Sequence, residues 1–231
     1  LAMSQSANAV SKVVSINAVG RERGPGLRIV NDARQQLSDG LCRWLSGTRA
    51  AISEELFLLA DGTRERLLQT RYLDLRQEIE RSWNQYIDAF RHGLAEADWT
   101  PKPVAEVLDV PDFAGLQLVE DDELSERIVV REFAAQLAET CDDELYGLDR
   151  RVAALLGHEE PAEIENPLSP NYVCQALADA AAALGLDSES RLLLIRRIER
   201  HLHLALPTLY HDINSNLIDR GILADLTRSY K

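Results

Sequence analysis

The stretch that decides the fold runs from Arg64 to Ala97 and reads RERLLQTRYLDLRQEIERSWNQYIDAFRHGLAEA. Its large apolar residues recur at spacings of three and four, which is the signature of an amphipathic helix. They are Leu68, Tyr72, Leu75, Ile79, Trp83, Tyr86, Ile87, Phe90 and Leu94. A helix of this length measures about 50 Å at ~1.5 Å per residue. One broad apolar stripe needs a partner, so the sequence predicts packing against a second long helix.

The nearest candidate for that partner precedes it in the chain. Apolar spacing predicts a first helix from Leu27 to about Leu59, although Gly40 and Gly47 weaken a helix interior. Its expected buried residues are Ile29, Leu37, Leu41, Trp44, Leu45, Ile52, Leu56 and Leu59. A turn at Asp61-Gly62-Thr63 makes the two helices an antiparallel hairpin over residues 27–97. Residues 1–26, which end in Gly24-Pro25-Gly26, are expected to form a flexible arm.

The remainder of the chain also shows helical spacing. Trp99-Thr100-Pro101-Lys102-Pro103 ends the hairpin, because proline lacks an amide donor, and residues 98–119 are expected to form a connector. One or two helices then run from about Asp121 to Gly157. Ser169-Pro170 predicts a helix start, with the serine hydroxyl capping free amides. A final helix spans Ser188–Asp219, with a kink at Pro207.

No stretch alternates in the way that a strand requires. The predicted fold is therefore all-α, a bundle of long antiparallel helices, with residues 27–231 as one helical domain and residues 120–231 as its bundle portion.

Composition fits a globular, water-soluble chain. It is 45% hydrophobic and 27% charged, and no apolar run approaches the ~20 residues that span a bilayer. No basic-then-apolar signal pattern opens the sequence, and Leu1-Ala2 before Met3 is typical of a cloning remnant. The cysteines Cys42, Cys141 and Cys174 are widely spaced and odd in number, which favours a reducing, cytoplasmic location.

Charge is unevenly distributed along the chain, whose net charge is −13. Residues 101–190 contain 5 basic and 21 acidic side chains, whereas residues 1–100 contain 13 of each. A surface this acidic repels phosphate backbones, so nucleic acid is not an expected partner. The acidic stretch is either a solvated face or a docking surface for a basic protein.

Several segments resemble a proteobacterial family of unknown function, whose long members often carry an automatic thymidine phosphorylase label. Leu56–Leu94 is similar to its first helical region, and Glu120–Gly157, Asn166-Pro167-Leu168-Ser169-Pro170 and Leu217–Leu223 are similar to later ones. The resemblance implies a bacterial, cytoplasmic, regulatory protein of which this chain is the N-terminal part. It does not extend to phosphorylase chemistry, because only Gly24-Pro25-Gly26 is locally glycine-rich and no strand precedes it.

The sequence shows no catalytic motif, no metal-binding pattern and no cofactor motif. His201 and His203 lie about 200° apart on a helix, which is unsuited to shared metal binding. Arg196, Arg197 and Arg200 include an R-x-x-x-R spacing that clamps phosphates in some cyclic-dinucleotide receptors. These arginines define an alternative function, a sensor of a nucleotide second messenger. Pairing with carboxylates elsewhere in the chain is the other interpretation.

The leading hypothesis is a non-enzymatic helical module for protein–protein interaction. The expected partner is another protein, basic in character, or a second copy of the chain. Trp99 is the aromatic residue expected in an exposed groove. Asp142, Asp143 and Glu144 are the carboxylates expected to attract a basic partner.

Overall fold

The computed structural model describes residues 16–96 and 121–226, and the side chains of residues 24–95 and 124–226. These parts of the chain contain α-helices and one short 3-10 helix, Pro161–Glu163, and no strand. The helices are α1 (Ile16–Gly62), α2 (Arg66–Glu96), α3 (Asp121–Thr140), α4 (Asp142–Leu156), α5 (Pro170–Ala183) and α6 (Ser188–Asp219). The predicted all-α class is confirmed.

Helices α1 and α2 form the antiparallel hairpin that the apolar stripe predicted. The indole Nε1 of Trp83 donates to the carbonyl oxygen of Leu45 at 2.9 Å. Near the turn, Gln69 Nε2 donates to the carbonyl oxygen of Ala60 at 3.1 Å. Trp83 is buried and also stacks on Tyr86, with ring centroids 4.9 Å apart. The stripe residues from Leu75 to Phe90 are buried, as expected from their spacing.

The predicted start of the first helix is wrong. Helix α1 begins at Ile16 and continues through Pro25, so residues 16–26 are not an irregular arm. Residues 1–15 lie outside the described part. Proline removes only one helical hydrogen bond, and Gly26 lies against the backbone of Leu155 in α4. Tertiary packing of this turn therefore outweighs its poor helix propensity. The helix also continues through Gly40 and Gly47.

The boundaries of the later helices follow the sequence closely. Gly157 has φ +79°, and the amides of Gly157 and His158 close the end of α4 by donating to Ala154 and Ala153. Helix α5 starts at Pro170 as predicted, but the Ser169 hydroxyl makes no capping hydrogen bond, so that detail is wrong. Helix α6 has the predicted bounds and continues through Pro207. The kink at Pro207 stays a prediction.

Helix α6 contacts each of the other five α-helices described. It runs antiparallel to α1, because Asp32 pairs with Arg220 and Glu55 with Arg197. It runs parallel to α3, because Glu126 pairs with Arg191 at 2.7 Å and, further along both helices, Thr140 Oγ1 lies 3.2 Å from His203 Nδ1. Its buried apolar residues are Leu194, Ile195, Ile198, Leu202, Leu206, Tyr210, Ile213 and Leu217.

The polar ends of two core tyrosines bind backbone carbonyl oxygens. Tyr210 Oη donates to Leu168 at 2.6 Å, and Tyr86 Oη donates to Leu177 at 3.0 Å. Both side chains are completely buried, so burial raises the pKa of each phenol above its ordinary value. Each bond satisfies a hydroxyl that would otherwise be buried without a partner.

All three cysteines are buried, unpaired thiols, in α1, between α3 and α4, and in α5. Burial raises the pKa of Cys141 to about 11 and also raises that of Cys174. Helices that combine the length and the apolar character required to cross a bilayer are absent from residues 16–96 and 121–226.

The contact between α1 and α4 predicts an unequal effect of two glycine substitutions. A Cβ atom at Gly26 would lie 1.9 Å from the carbonyl oxygen of Leu155, whereas one at Gly47 meets nothing within 4 Å. We expect Gly26→Ala to reduce the free energy of unfolding by about 1–3 kcal/mol. Gly47→Ala should increase it by about 0.5–1 kcal/mol. Urea unfolding of both variants measures the difference, and equal midpoints would contradict the α1–α4 contact.

The start of α6 predicts a pH-dependent contribution to stability. Asp187 Oδ1 accepts from the amide of Ser190 at 2.7 Å, and this bond lowers the pKa of Asp187. Because the folded-state pKa lies below the unfolded one, the stabilisation exists above the unfolded pKa and is lost as the pH falls through the folded pKa. Asp187→Ala should cost about 1 kcal/mol at neutral pH, and its cost should shrink below about pH 4.

Urea unfolding midpoints of wild type and Asp187→Ala, measured at neutral pH and below about pH 4, test this expectation. Asp187→Asn is the control, since it retains an acceptor oxygen and has no charge to titrate. If Asp187→Ala reduced the free energy of unfolding equally at both pH values, the stabilisation would not come from an ionised Asp187 carboxylate.

Candidate functional site

The carboxylates predicted to attract a partner lie together at one end of α4. Asp142, Asp143 and Glu144 form its first turn, where negative charge is favoured by the helix dipole. Asp142 and Asp143 are exposed, whereas Glu144 is half-buried. Trp99, the predicted aromatic contact, lies outside the described residues. The structure therefore brings together the three acidic residues of the predicted set.

Glu144 belongs to a network of polar side chains between α4 and α6. Its Oε1 lies 2.9 Å from His211 Nδ1, and its Oε2 accepts from Asn214 Nδ2 at 2.6 Å. The same amide nitrogen lies 2.9 Å from the backbone oxygen of Glu144. These contacts fix the carboxylate in one orientation. A carboxylate has about four lone-pair sites, so Glu144 retains capacity for a further donor.

Arg151 extends this network to the end of the domain. The side chain is only 4% exposed, and its Nη1 donates to Asn214 Oδ1 at 2.7 Å. Its Nε and Nη2 donate to the carbonyl oxygens of Ile222 and Leu223 at 3.2 and 3.4 Å. Burial lowers the pKa of Arg151, and the charge of Glu144 acts in the opposite direction. Arg151 thus ties α4 to α6 and to the turn that follows it.

The turn held by Arg151 has an uncommon backbone conformation. Leu223 has φ +46°, in the left-handed region that L side chains seldom adopt. Two carbonyl oxygens bound by one guanidinium hold the backbone in this conformation. Sequence reasoning missed the network. The available signal was Asn214, a polar residue beside Ile213 on an otherwise apolar stripe.

The network forms one wall of a pocket of about 290 Å³ between α4 and α6. We call it the acidic pocket. Its described lining residues are Asp143, Glu144, Tyr146, Gly147, Arg151, His211, Asn214, Ser215, Ile218 and Leu226. The guanidinium carbon of Arg150 lies over the Tyr146 ring, 4.7 Å from its centroid. The lining places the carboxylates of Asp143 and Glu144 in the same pocket as the exposed apolar surface of Ile218. This combination suits a cationic side chain with an aliphatic stem.

Two of the three arginines of the alternative prediction lie near a carboxylate of α1. Arg197 and Arg200 both point to Glu55 of α1, with Nη1 to Oε2 distances of 3.7 and 4.0 Å. His201 Nε2 lies 3.0 Å from the other oxygen of Glu55, but without the geometry of a hydrogen bond. Arg196 is exposed one helical turn before Arg200, on the same face of α6. The arrangement favours carboxylate pairing, and second-messenger binding at these residues stays a prediction.

The histidines of α6 contact three different partners. His201 approaches Glu55, His203 Nδ1 lies 3.2 Å from Thr140 Oγ1, and His211 contacts Glu144. Across the described residues, His, Cys, Asp and Glu side chains form no group of three or more with the geometry to hold a metal ion.

A larger cleft lies between α3 and α5. Its volume is about 690 Å³, and its described lining residues are Arg127, Val130, Arg131, Ala134, Asn171 and Gln175. A smaller cleft of about 300 Å³ shares Arg127, Val130 and Gln175 with it. Sequence reasoning missed this cleft as well. The available signal was the pair Arg127 and Arg131, one helical turn apart within an acidic stretch.

Fold and sites together define an all-α bundle domain with an internal polar network and two charged surface cavities. The chain belongs to the DUF1631 family. The family model described as "Protein of unknown function (DUF1631) N-terminal domain" matches residues 26–221. The match extends from Gly26, where α1 meets α4, to Gly221, just after α6, and it confirms the family recognised in the sequence. No curated protein and no solved structure matches the chain.

The buried position of Arg151 predicts a large stability effect at this one residue. Arg151→Met keeps the approximate length of the side chain, but it leaves Asn214 Oδ1 and two backbone carbonyl oxygens without their donor. We expect the free energy of unfolding to fall by about 2–4 kcal/mol. Arg196→Met removes the same group from an exposed position and should change it by less than about 0.5 kcal/mol. Denaturant unfolding compares the two, and equal losses would contradict a structural role for Arg151.

Proposed function

We propose that this domain is a non-enzymatic protein–protein interaction module of a larger cytoplasmic regulatory protein, and that the acidic pocket receives a basic segment of its partner. The observation that supports this proposal is the position of Asp143 and Glu144 on the wall of a pocket that also contains Ile218. Ile218 is 38% exposed. A lysine or arginine side chain entering the pocket would place its charge near the carboxylates and its stem against this apolar surface.

The polar network gives the pocket a fixed shape before a partner arrives. Glu144 is held by His211 and Asn214, and Asn214 is held in turn by the buried guanidinium of Arg151. A preorganised carboxylate loses little conformational entropy when it binds, which favours affinity. Asp142 and Asp143 are exposed beside it, so they contribute mainly to attraction before contact is made.

Long-range charge supports the same proposal. One wall of the acidic pocket, from Asp143 to Arg151, belongs to residues 101–190, which contain 21 acidic and only 5 basic side chains. Such a surface raises the encounter rate of a basic partner and disfavours acidic ones. The expected complex is therefore sensitive to salt, because exposed charges are screened over a Debye length of ~10 Å at about 0.1 M salt and ~3 Å at about 1 M.

The proposal predicts that removing the charges of Asp142 and Asp143 reduces the amount of a basic protein that the domain binds. The variant Asp142→Asn/Asp143→Asn removes two charges and leaves Glu144 in its network. The matched control, Glu54→Gln/Asp74→Asn, removes two exposed charges from α1 and α2. Immobilised wild type and control should retain the same basic protein from a lysate of the source organism at low salt. The Asp142→Asn/Asp143→Asn variant should retain several-fold less, as measured by quantitative mass spectrometry.

The amount of basic protein retained is compared at low and high salt and between the two double variants. Loss of the retained protein at high salt, together with its selective loss in the Asp142→Asn/Asp143→Asn variant, supports docking at the acidic pocket. Equal losses in the variant and in the control would show that only net charge matters. Retention that is unaffected by either variant, or the absence of any retained protein, would count against this proposal.

A further inference from the structure

The α3–α5 cleft contains polar groups that converge from two helices. Arg127 and Arg131 lie one turn apart on α3, and Asn171 and Gln175 lie one turn apart on α5. Side chains separated by four residues on a helix are neighbours on one face, with Cβ atoms about 5–6 Å apart. The cleft therefore has two guanidinium groups on one wall and two side-chain amides on the other.

The charge of the cleft contrasts with its surroundings. Residues 121–190 contain only four arginines and no lysine, and two of the four line this cleft. A third, Arg151, is buried in the polar network. The fourth, Arg150, lies against the Tyr146 ring on α4. The cleft is thus the place in this acidic region where two exposed arginines lie together, which favours an anion.

Two of the polar groups are available for a ligand. Within the described parts of the chain, neither the Arg131 guanidinium nor the Asn171 amide has a hydrogen-bond or ion-pair partner. Gln175 Nε2 donates to Asp179 Oδ1 at 2.8 Å. A planar guanidinium binds phosphate or carboxylate oxygens through two parallel hydrogen bonds, so an unpaired Arg131 beside a donor amide is suited to such a group.

The backbone of α5 adds a further attraction for negative charge. Asn171 is the second residue of this 14-residue helix, so this part of the cleft lies at the positive end of the helix dipole. Ser169 makes no capping hydrogen bond there, and the first-turn amides lack the side-chain acceptor that usually satisfies them.

We propose that the α3–α5 cleft binds a phosphorylated small molecule of nucleotide size. Arg131 would hold its phosphate groups, Arg127 would add positive charge to the same wall, and Asn171 would donate from the opposite wall. The volume of about 690 Å³ lies within the range of about 300–1,000 Å³ that is usual for small-molecule sites. This site is separate from the acidic pocket, so it does not depend on the proposed docking function.

Isothermal titration calorimetry with ADP, inorganic pyrophosphate and adenosine tests the site. We expect ADP and pyrophosphate to bind and adenosine to give no heat, because recognition depends on the phosphates. Arg127→Gln/Arg131→Gln should weaken ADP binding by at least about tenfold, since it removes the charge-assisted donor of Arg131 and the positive charge beside it. Asn171→Ala should weaken it less, because it removes one neutral donor. Arg196→Gln, which removes an exposed arginine outside the cleft, should bind as wild type does.

Each other result overturns the proposal. No heat with either ADP or pyrophosphate would exclude a phosphate site. Equal weakening by Arg196→Gln would show nonspecific attraction, and equal binding of adenosine and ADP would show that the phosphates are not recognised. The residues mutated on α3 are exposed, so the variants should unfold at the same urea concentration as wild type, and a shared midpoint separates lost binding from lost structure.

Discussion

Packing of α6 against every other described α-helix is the constraint on which this structure depends. A helix packed in this way needs a continuous apolar stripe that faces its neighbours, yet the tyrosine within that stripe must still form a hydrogen bond. The apolar residues from Leu194 to Leu217 meet the first requirement. Tyr210 meets the second through the carbonyl oxygen of Leu168, in the segment that leads into α5.

The same helix leaves the core near its C-terminal end, and its polar side chains become functional candidates there. Asn214 is buried and links Glu144 to Arg151. Unlike an apolar contact, this chain of hydrogen bonds is directional, so it fixes the relative rotation of α4 and α6 as well as their distance. Burying a guanidinium carries a desolvation cost, and at this position the cost is offset by three acceptors. Stability and site geometry therefore rest on the same three residues.

Apolar spacing was sufficient to predict the helices, their hairpin and most of the core. It failed where tertiary contact overrides local preference, as in the turn around Pro25 and Gly26, which is helical because it packs on Leu155. It also failed for both cavities. Arg131 and Asn171 are 40 positions apart in the sequence, and Arg151 and Asn214 are 63 apart. Such residues become neighbours only because α5 packs against α3 and α6 packs against α4. The apolar periodicity of a single helix does not reveal which helix it packs against.

The three buried thiols have a practical consequence for measuring motion in this domain. A thiol reacts with alkylating reagents as its thiolate and only when the reagent reaches it. Cys42, Cys141 and Cys174 lie in three different parts of the bundle, and all are buried. Each alkylation rate therefore reports how often its own region opens. Without any engineered label, the native chain therefore allows the opening of α1, of the α3–α4 junction and of α5 to be compared.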